Sequence, residues 1–223
     1  MRHSIGRSLL ILLSLSLAPI AAQDAPERPG FLRYRVIPEK SAAGFDGKST
    51  LHDFTGRTQE VGGEVRFNRD LVGPTAGGRI TVAAKSLDTG DAGRDREMRK
   101  HLAVEQFPDI RFELDGLTIA AEKGGSKAHG RFAIHGIERA REFAGTVAET
   151  PDGGLHLVGD LRFKMTDHGI EPPSVAVITV DDEVHVFADI LLGRVQAPDV
   201  AGEVIDVDIS ETLTPVEGIE TVR

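Results

Sequence analysis

Across residues 155–165 the chain alternates. Leu155, Leu157, Gly159, Leu161, Phe163 and Met165 fall on one parity, and His156, Val158, Asp160, Arg162 and Lys164 on the other. Successive side chains point to opposite faces in an extended chain, so one apolar and one mostly polar face mark a strand buried on one side. Val184, Val186, Ala188, Ile190 and Leu192 repeat the pattern against His185 and Asp189, with Phe187 and Leu191 also on the second face. Shorter versions run through residues 61–67, 80–84, 110–114 and 132–134. Between these runs lie Gly73-Pro74, Gly77-Gly78, Gly124-Gly125 and Pro151-Asp152-Gly153-Gly154, all residues that favour turns for backbone reasons. Strands joined mainly by short turns pair antiparallel, and closing such a sheet into a barrel removes its exposed edges. The expected fold class is all-β.

One segment interrupts the rhythm. Residues 91–103 (DAGRDREMRKHLA) are rich in helix formers, offer Asp91 as an N-cap and stop before Phe107-Pro108. The expectation is a single short helix, placed as a lid over one barrel mouth. Its basic residues, Arg94, Arg96, Arg99 and Lys100, alternate with Asp95 and Glu97. Ion pairs at helical spacing, such as Asp95 with Arg99, account for them. The alternative is a cationic rim that meets an anionic head group, with Arg94 and Arg99 as its candidates.

The first residues indicate an address. Arg2, His3 and Arg7 precede an apolar run through Ile20, and the small residues Ala21-Ala22 end it. Basic lead, short apolar stretch and small-residue exit make a signal peptide, too short for the roughly 20 residues of a spanning helix. We therefore expect residues 1–22 to be cleaved, and the product to be periplasmic or secreted. Residues 23–30 read as a flexible leader, 31–192 as one domain, and 193–223 as an acidic C-terminal extension. The chain has no cysteine, so its stability must come from burial and sheet hydrogen bonds. A formal charge of −9 repels polyphosphate backbones, and nucleic acid is not an expected partner. No further stretch is long enough for stable membrane insertion, while self-association into a homodimer is compatible with the composition.

Motifs of catalysis and metal binding are weak or missing. Residues 42–49 (AAGFDGKS) fit a relaxed phosphate-loop pattern, but no buried strand precedes them and no helix follows, so a turn between strands is expected. His129 and His135 lie six apart in a probable strand, and the other histidines are scattered without ligand spacing. There is no GxSxG elbow, no SxxK and no thiol nucleophile. We expect no catalytic residues, no bound metal and no cofactor.

A family resemblance joins these pieces. Ser86-Leu87-Asp88-Thr89-Gly90, Arg94-Asp95 and Phe107-Pro108-Asp109-Ile110-Arg111-Phe112 resemble the signature of the YceI-like polyisoprenoid-binding proteins. His135-Gly136-Ile137, Asp167-His168-Gly169-Ile170 and Asp181-Asp182-Glu183-Val184 follow in matching order. The likeness runs from about Tyr34 to Leu192. It implies an antiparallel, eight-stranded, lipocalin-like barrel, exported to the periplasm, with an isoprenoid or other long-chain lipid inside. The chain departs at Met165-Thr166, where relatives often carry Arg-Ser, and at Glu97-Met98.

The expected function is that of a soluble carrier or buffer for such a lipid. The expected ligand-binding residues are the inward-facing apolar and small ones: Val65, Phe67, Val82, Ala84, Phe112, Leu114, Phe132, Ile134, Leu157, Gly159, Leu161, Phe163, Val186, Ala188 and Ile190. Two other classes compete. One is an exported enzyme acting on a lipid head group. The other is a stress-response protein whose barrel is packed solid by its own side chains, as small barrels can be.

Overall fold

Eight strands close a ring. The computed structural model describes residues 31–68, 76–120, 125–175 and 177–195. The strands are β1 (Phe31–Val36), β2 (Ala42–Gly47), β3 (Phe54–Thr58), β4 (Val61–Asn68), β5 (Ala76–Ala83), β6 (Asp109–Thr118), β7 (Ser126–Ile134), β8 (Ile137–Glu149) and β9 (Leu155–Lys164). Two-residue strands β10 (Ser174–Val175) and β11 (Ile178–Thr179) form a small hairpin, and β12 (Glu183–Val195) is the last strand described. The order β1-β4-β5-β6-β7-β8-β9-β12 is antiparallel throughout and returns to β1 through a β1–β12 pairing. The barrel is therefore closed and eight-stranded, as expected. Expectations for residues 1–30 and for 196–223 lie outside the described residues, while Gly193, Arg194 and Val195 continue β12.

β12 explains how the wall is extended. Along one edge it pairs with β9 from Glu183 to Leu192. Along the other it pairs first with β2, through residues 185–189, and then with β1, through residues 192–195. β1 and β2 thus share one side of β12, broken by a 3-10 turn at Pro38–Lys40. Ser41, 2% exposed, seals the break. Its hydroxyl donates to the Ile37 carbonyl at 2.8 Å and accepts from the Leu191 N–H at 3.0 Å. A buried gap in the ladder would otherwise leave that N–H without a partner. The β2–β3 hairpin lengthens the wall at the end of the barrel that we call the upper end.

Local sequence chemistry accounts for the turns. β7 and β8 are joined by two residues, His135 (φ 54°) and Gly136 (φ 74°), the left-handed pair that a tight hairpin requires. His135 therefore sits in a turn and shares no strand face with His129, contrary to expectation. Gly77 and Gly78 also differ from expectation, because both lie inside β5 rather than in a turn. Gly78 has φ 144°, and a Cβ there would come within 2.3 Å of the Glu64 carbonyl oxygen, so the glycine allows β4 and β5 to approach. Residues 42–47 of the phosphate-loop lookalike are strand β2, not a turn, and no helix follows Ser49.

The helix is α1 (Ala92–His101), capped by the Asp91 carboxylate, which accepts from the Arg94 N–H at 2.8 Å. That contact holds the Asp91 pKa below the usual carboxylate range. Asp95 is buried but is not paired with Arg99 as the spacing suggested. It accepts instead from the Thr89 N–H at 2.9 Å and the Thr89 hydroxyl at 2.6 Å, tying the helix to the strand-like segment before it. Burial works to raise its pKa, and the two Thr89 bonds together with the nearby Arg99 charge hold the carboxyl low.

Two buried clusters divide the interior. The lower one joins Tyr34, Val36, Ala43, Val61, Val65, Leu155, Ile190 and Leu192. The upper one joins Phe132, Ile134, Leu161, Phe163, Ile170 and Val184. The outer face carries ion pairs and histidine–carboxylate contacts, among them His156 with Asp189 at 2.6 Å and His129 with Glu142 at 3.1 Å. His185 sits between Asp46 and Asp160, each ring nitrogen 3.0 Å from a carboxylate oxygen, and so crosses three strands.

Candidate functional site

Beside both clusters the barrel is hollow along its length. A cavity of about 300 Å³ reaches from α1 down to Leu117, Ser126 and Val147, at the size where small-molecule sites begin. Nearly all of its surface is apolar. The filled-core alternative is not what the structure shows.

Parity places most of the wall correctly. Val65, Phe67, Val82, Phe112, Leu114, Phe132, Ile134, Leu157, Gly159, Phe163, Val186, Ala188 and Ile190 all line the cavity. Register explains their meeting: Val186 lies opposite Leu161, Ala188 opposite Gly159 and Ile190 opposite Leu157 on the β9–β12 ladder, so small residues face each other across it. Two expected positions do not line the cavity. Ala84 is buried in a 3-10 turn after β5, beyond the barrel wall. Leu161 faces inward but is packed within the upper cluster and is not one of the lining residues.

Other lining residues were not foreseen. Ala43 and Phe45 come from β2, whose alternation across Ala43, Phe45 and Gly47 was readable but obscured by the phosphate-loop pattern. Phe143 comes from β8 and meets Phe112 edge-on, with ring centres 5.0 Å apart. Met98, His101 and Leu102 come from α1 and its end, which confirms the helix as the cover of one mouth. Phe54 and Val180 complete the rim.

The two arginine candidates part company. Arg94 lines the cavity at its mouth. Its guanidinium lies 4.8 Å over the Phe54 ring and donates to the Thr89 hydroxyl at 2.9 Å and the Thr89 carbonyl at 3.0 Å. Its remaining nitrogen is 3.3 Å from His52. Arg99 does not reach the cavity. It donates to the Lys85 carbonyl at 3.0 Å and the Leu87 carbonyl at 3.5 Å, and so straps the helix to the chain that precedes it.

One titratable group is buried beside the upper wall. His168, fully buried, donates from Nδ1 to the Ile137 carbonyl at 2.9 Å, while its Nε2 has no partner. Its ring meets Phe163 and Phe132 edge-on at 5.0 and 5.6 Å. Desolvation holds its pKa below the ordinary histidine value, with Arg141 and Arg139 adding to the effect. Among the described residues, no group of three or more His, Cys, Asp or Glu side chains is arranged to hold a metal ion, and no helix is long and apolar enough to cross a membrane.

A closed antiparallel barrel with a helix across one mouth and an apolar cavity inside defines a lipocalin-like binding fold. The chain belongs to the YceI-like domain family, whose model matches residues 34–192. No curated protein sequence matches it. Solved structures that share the fold include two at low identity. BcnA from Burkholderia cenocepacia is 17% identical, with a TM-score of 0.61 over 70% of this chain and 98% of its own. A polyisoprenoid-binding domain from Saccharophagus degradans, implicated in plant cell wall breakdown, is 15% identical, with a TM-score of 0.56 over 74% of this chain and 99% of its own.

Proposed function

We propose that this protein carries or buffers a long-chain isoprenoid, or a similar amphiphilic lipid, in its barrel after export from the cytoplasm. The observation that carries the reading is the cavity itself, apolar from the α1 mouth to its deep end. Burial of each CH₂ group gains about 0.8 kcal/mol, so a long apolar tail is driven from water into such a sleeve. Family membership and the polyisoprenoid-binding neighbour support the same ligand class. Arg94, held at the mouth by Thr89 and Phe54, is the group best placed to meet a head group. A wall made mostly of hydrocarbon side chains supports binding of an apolar ligand. The basic and apolar N-terminus supports export.

Native mass spectrometry on protein isolated from its exporting cell tests both parts. The expected species begins near Gln23 and carries a lipid that extracts into organic solvent. Protein that retains Arg2 would overturn export. Protein that yields no lipid, and takes up no polyisoprenoid offered in detergent, would overturn the carrier reading.

A further inference from the structure

The seam between β8 and β9 is laddered only in its lower half. Pairing runs from Glu149 opposite Leu155 to Ala144 opposite Asp160 and stops there, although both strands continue upward. β8 goes on along β7 to Ile137, and β9 goes on along β12 to Lys164. Continued in register, the ladder would join residues 140–143 to residues 161–164, and those pairs do not form. Side chains bridge the gap instead, to the 3-10 turn Met165–His168 that follows β9. The Arg141 guanidinium donates to the Asp167 carboxylate at 2.8 Å and the Arg139 Nε to the Asp167 carbonyl at 3.2 Å. His168 donates to the Ile137 carbonyl at 2.9 Å, and His135 to the His168 carbonyl at 3.2 Å. Directly behind lies the cavity. Phe143 on one side of the gap, Phe163 on the other, and Met165 and Ile170 from the turn region all line it.

We propose that this seam is the portal through which the apolar ligand enters and leaves the barrel, with the turn Met165–His168 as its latch. That the ligand is a carried lipid rests on the carrier reading, whereas the route rests on the seam itself. Three observations favour it. First, parting a laddered pair of strands breaks a row of backbone hydrogen bonds, whereas parting β8 from β9 above Ala144 breaks side-chain contacts only. Second, the closed latch is incompletely satisfied. Arg141 Nε and His168 Nε2 are buried without a hydrogen-bond partner, and opening returns both to water. Third, the α1 mouth is tied more firmly. Buried Asp95 accepts twice from Thr89, and Arg94 and Arg99 donate to the carbonyls of Thr89, Lys85 and Leu87.

Stopped-flow exchange of N-phenyl-1-naphthylamine, a small neutral dye that fluoresces in apolar surroundings, tests the route whatever the natural cargo is. Asp167 does not line the cavity. Asp167→Asn removes the charge that holds Arg141, and it should speed dye entry and release alike, by about two- to tenfold, with Kd unchanged. Arg99→Ala, which unstraps α1, should exchange dye like wild type. A second arm closes the seam. Glu142→Cys/Arg162→Cys places one thiol on the outer face of each strand, across the gap, in a chain with no cysteine of its own. A short reducible linker between them, confirmed by mass spectrometry, should slow exchange about tenfold or more, and reduction should restore it. Circular dichroism confirms that each variant is folded. Unchanged rates in Asp167→Asn, an equal or larger gain in Arg99→Ala, or undiminished exchange in the linked protein would overturn the portal. A shift of Kd in Asp167→Asn, with only one of the two rates altered, would overturn it by marking a ligand contact instead. Failure of wild type to take up the dye would do the same. If the dye passes through the seam while a polyisoprenoid offered in detergent is refused, the portal stands and the carrier reading fails.

Discussion

The lower and upper halves of the barrel are built from the same alternating strands and do different work. Below, Tyr34 and Leu192 are fully buried, Tyr34 stacks on Phe67 with ring centres 5.2 Å apart, and aliphatic residues from β1, β4, β9 and β12 fill the space. Above, the buried cluster hugs one side around Phe132 and Phe163, and the remaining width is left to the cavity and covered by α1. The lower half holds the ring shut through Tyr34, Val36, Val61 and Leu192, which lie outside the cavity lining, while Ala43, Val65, Leu155 and Ile190 of the same cluster border the cavity's deep end. The upper half trades packing for space, and replaces lost contacts with a helix held by polar bonds to Thr89, Lys85 and Leu87.

That difference can be broken from either side. Truncating the filled half should have the largest effect on folding. Leu192→Ala leaves a hole in a region with no slack and should cost about 2–5 kcal/mol in urea unfolding. Filling the hollow half should do the reverse. Ala188→Phe projects a ring into the cavity, so extractable lipid should fall about tenfold or more while stability changes by less than about 1.5 kcal/mol. A stability loss as large as that of Leu192→Ala would show that position 188 is packed rather than open.

A smaller effect should appear with pH. The His168 proton affinity is lowered in the fold by burial, with no acceptor for a proton on Nε2, whereas the unfolded chain binds that proton near pH 6.5. Below about pH 6.5 the unfolded state therefore gains the proton first, and stability falls as pH drops until the folded imidazole titrates as well. His168→Phe keeps an aromatic ring against Phe132 and Phe163 and should flatten the pH dependence of the urea midpoint between about pH 7 and 5, whatever its absolute stability. An unchanged slope would remove His168 as the cause. The smallest effect belongs to the outer face. Arg162 is 57% exposed at 3.8 Å from Glu183, and Arg162→Ala should change stability by no more than about 0.5 kcal/mol and leave lipid content alone.

Much of this division was legible one strand at a time. Alternation across residues 155–165 and 184–192 identified the buried parity of β9 and β12, and Asp91 with its helix formers identified α1. The strands that were missed carry weaker signals. β2 is short and glycine-rich, and β8 (IERAREFAGTVAE) mixes arginines with apolar residues on the same parity, because Arg141 turns to Asp167 at 2.8 Å while Phe143, two residues on, enters the cavity.

The sequence by itself determined the class of fold, the closing helix and which side of each clear strand is buried, because these follow from a local period of two and from capping chemistry over a few residues. Only the tertiary structure decided which buried residues face empty space. Leu157 and Leu161 share a strand and a parity, yet Leu157 borders the cavity and Leu161 is packed within the upper cluster. Arg94 and Arg99 share a helix, yet one reaches the mouth and the other binds backbone carbonyls. Burial is set by a residue's own strand, but a void is set by what arrives from the opposite wall. Those neighbours are brought together by the closure of β1 onto β12, more than 150 residues apart in the chain.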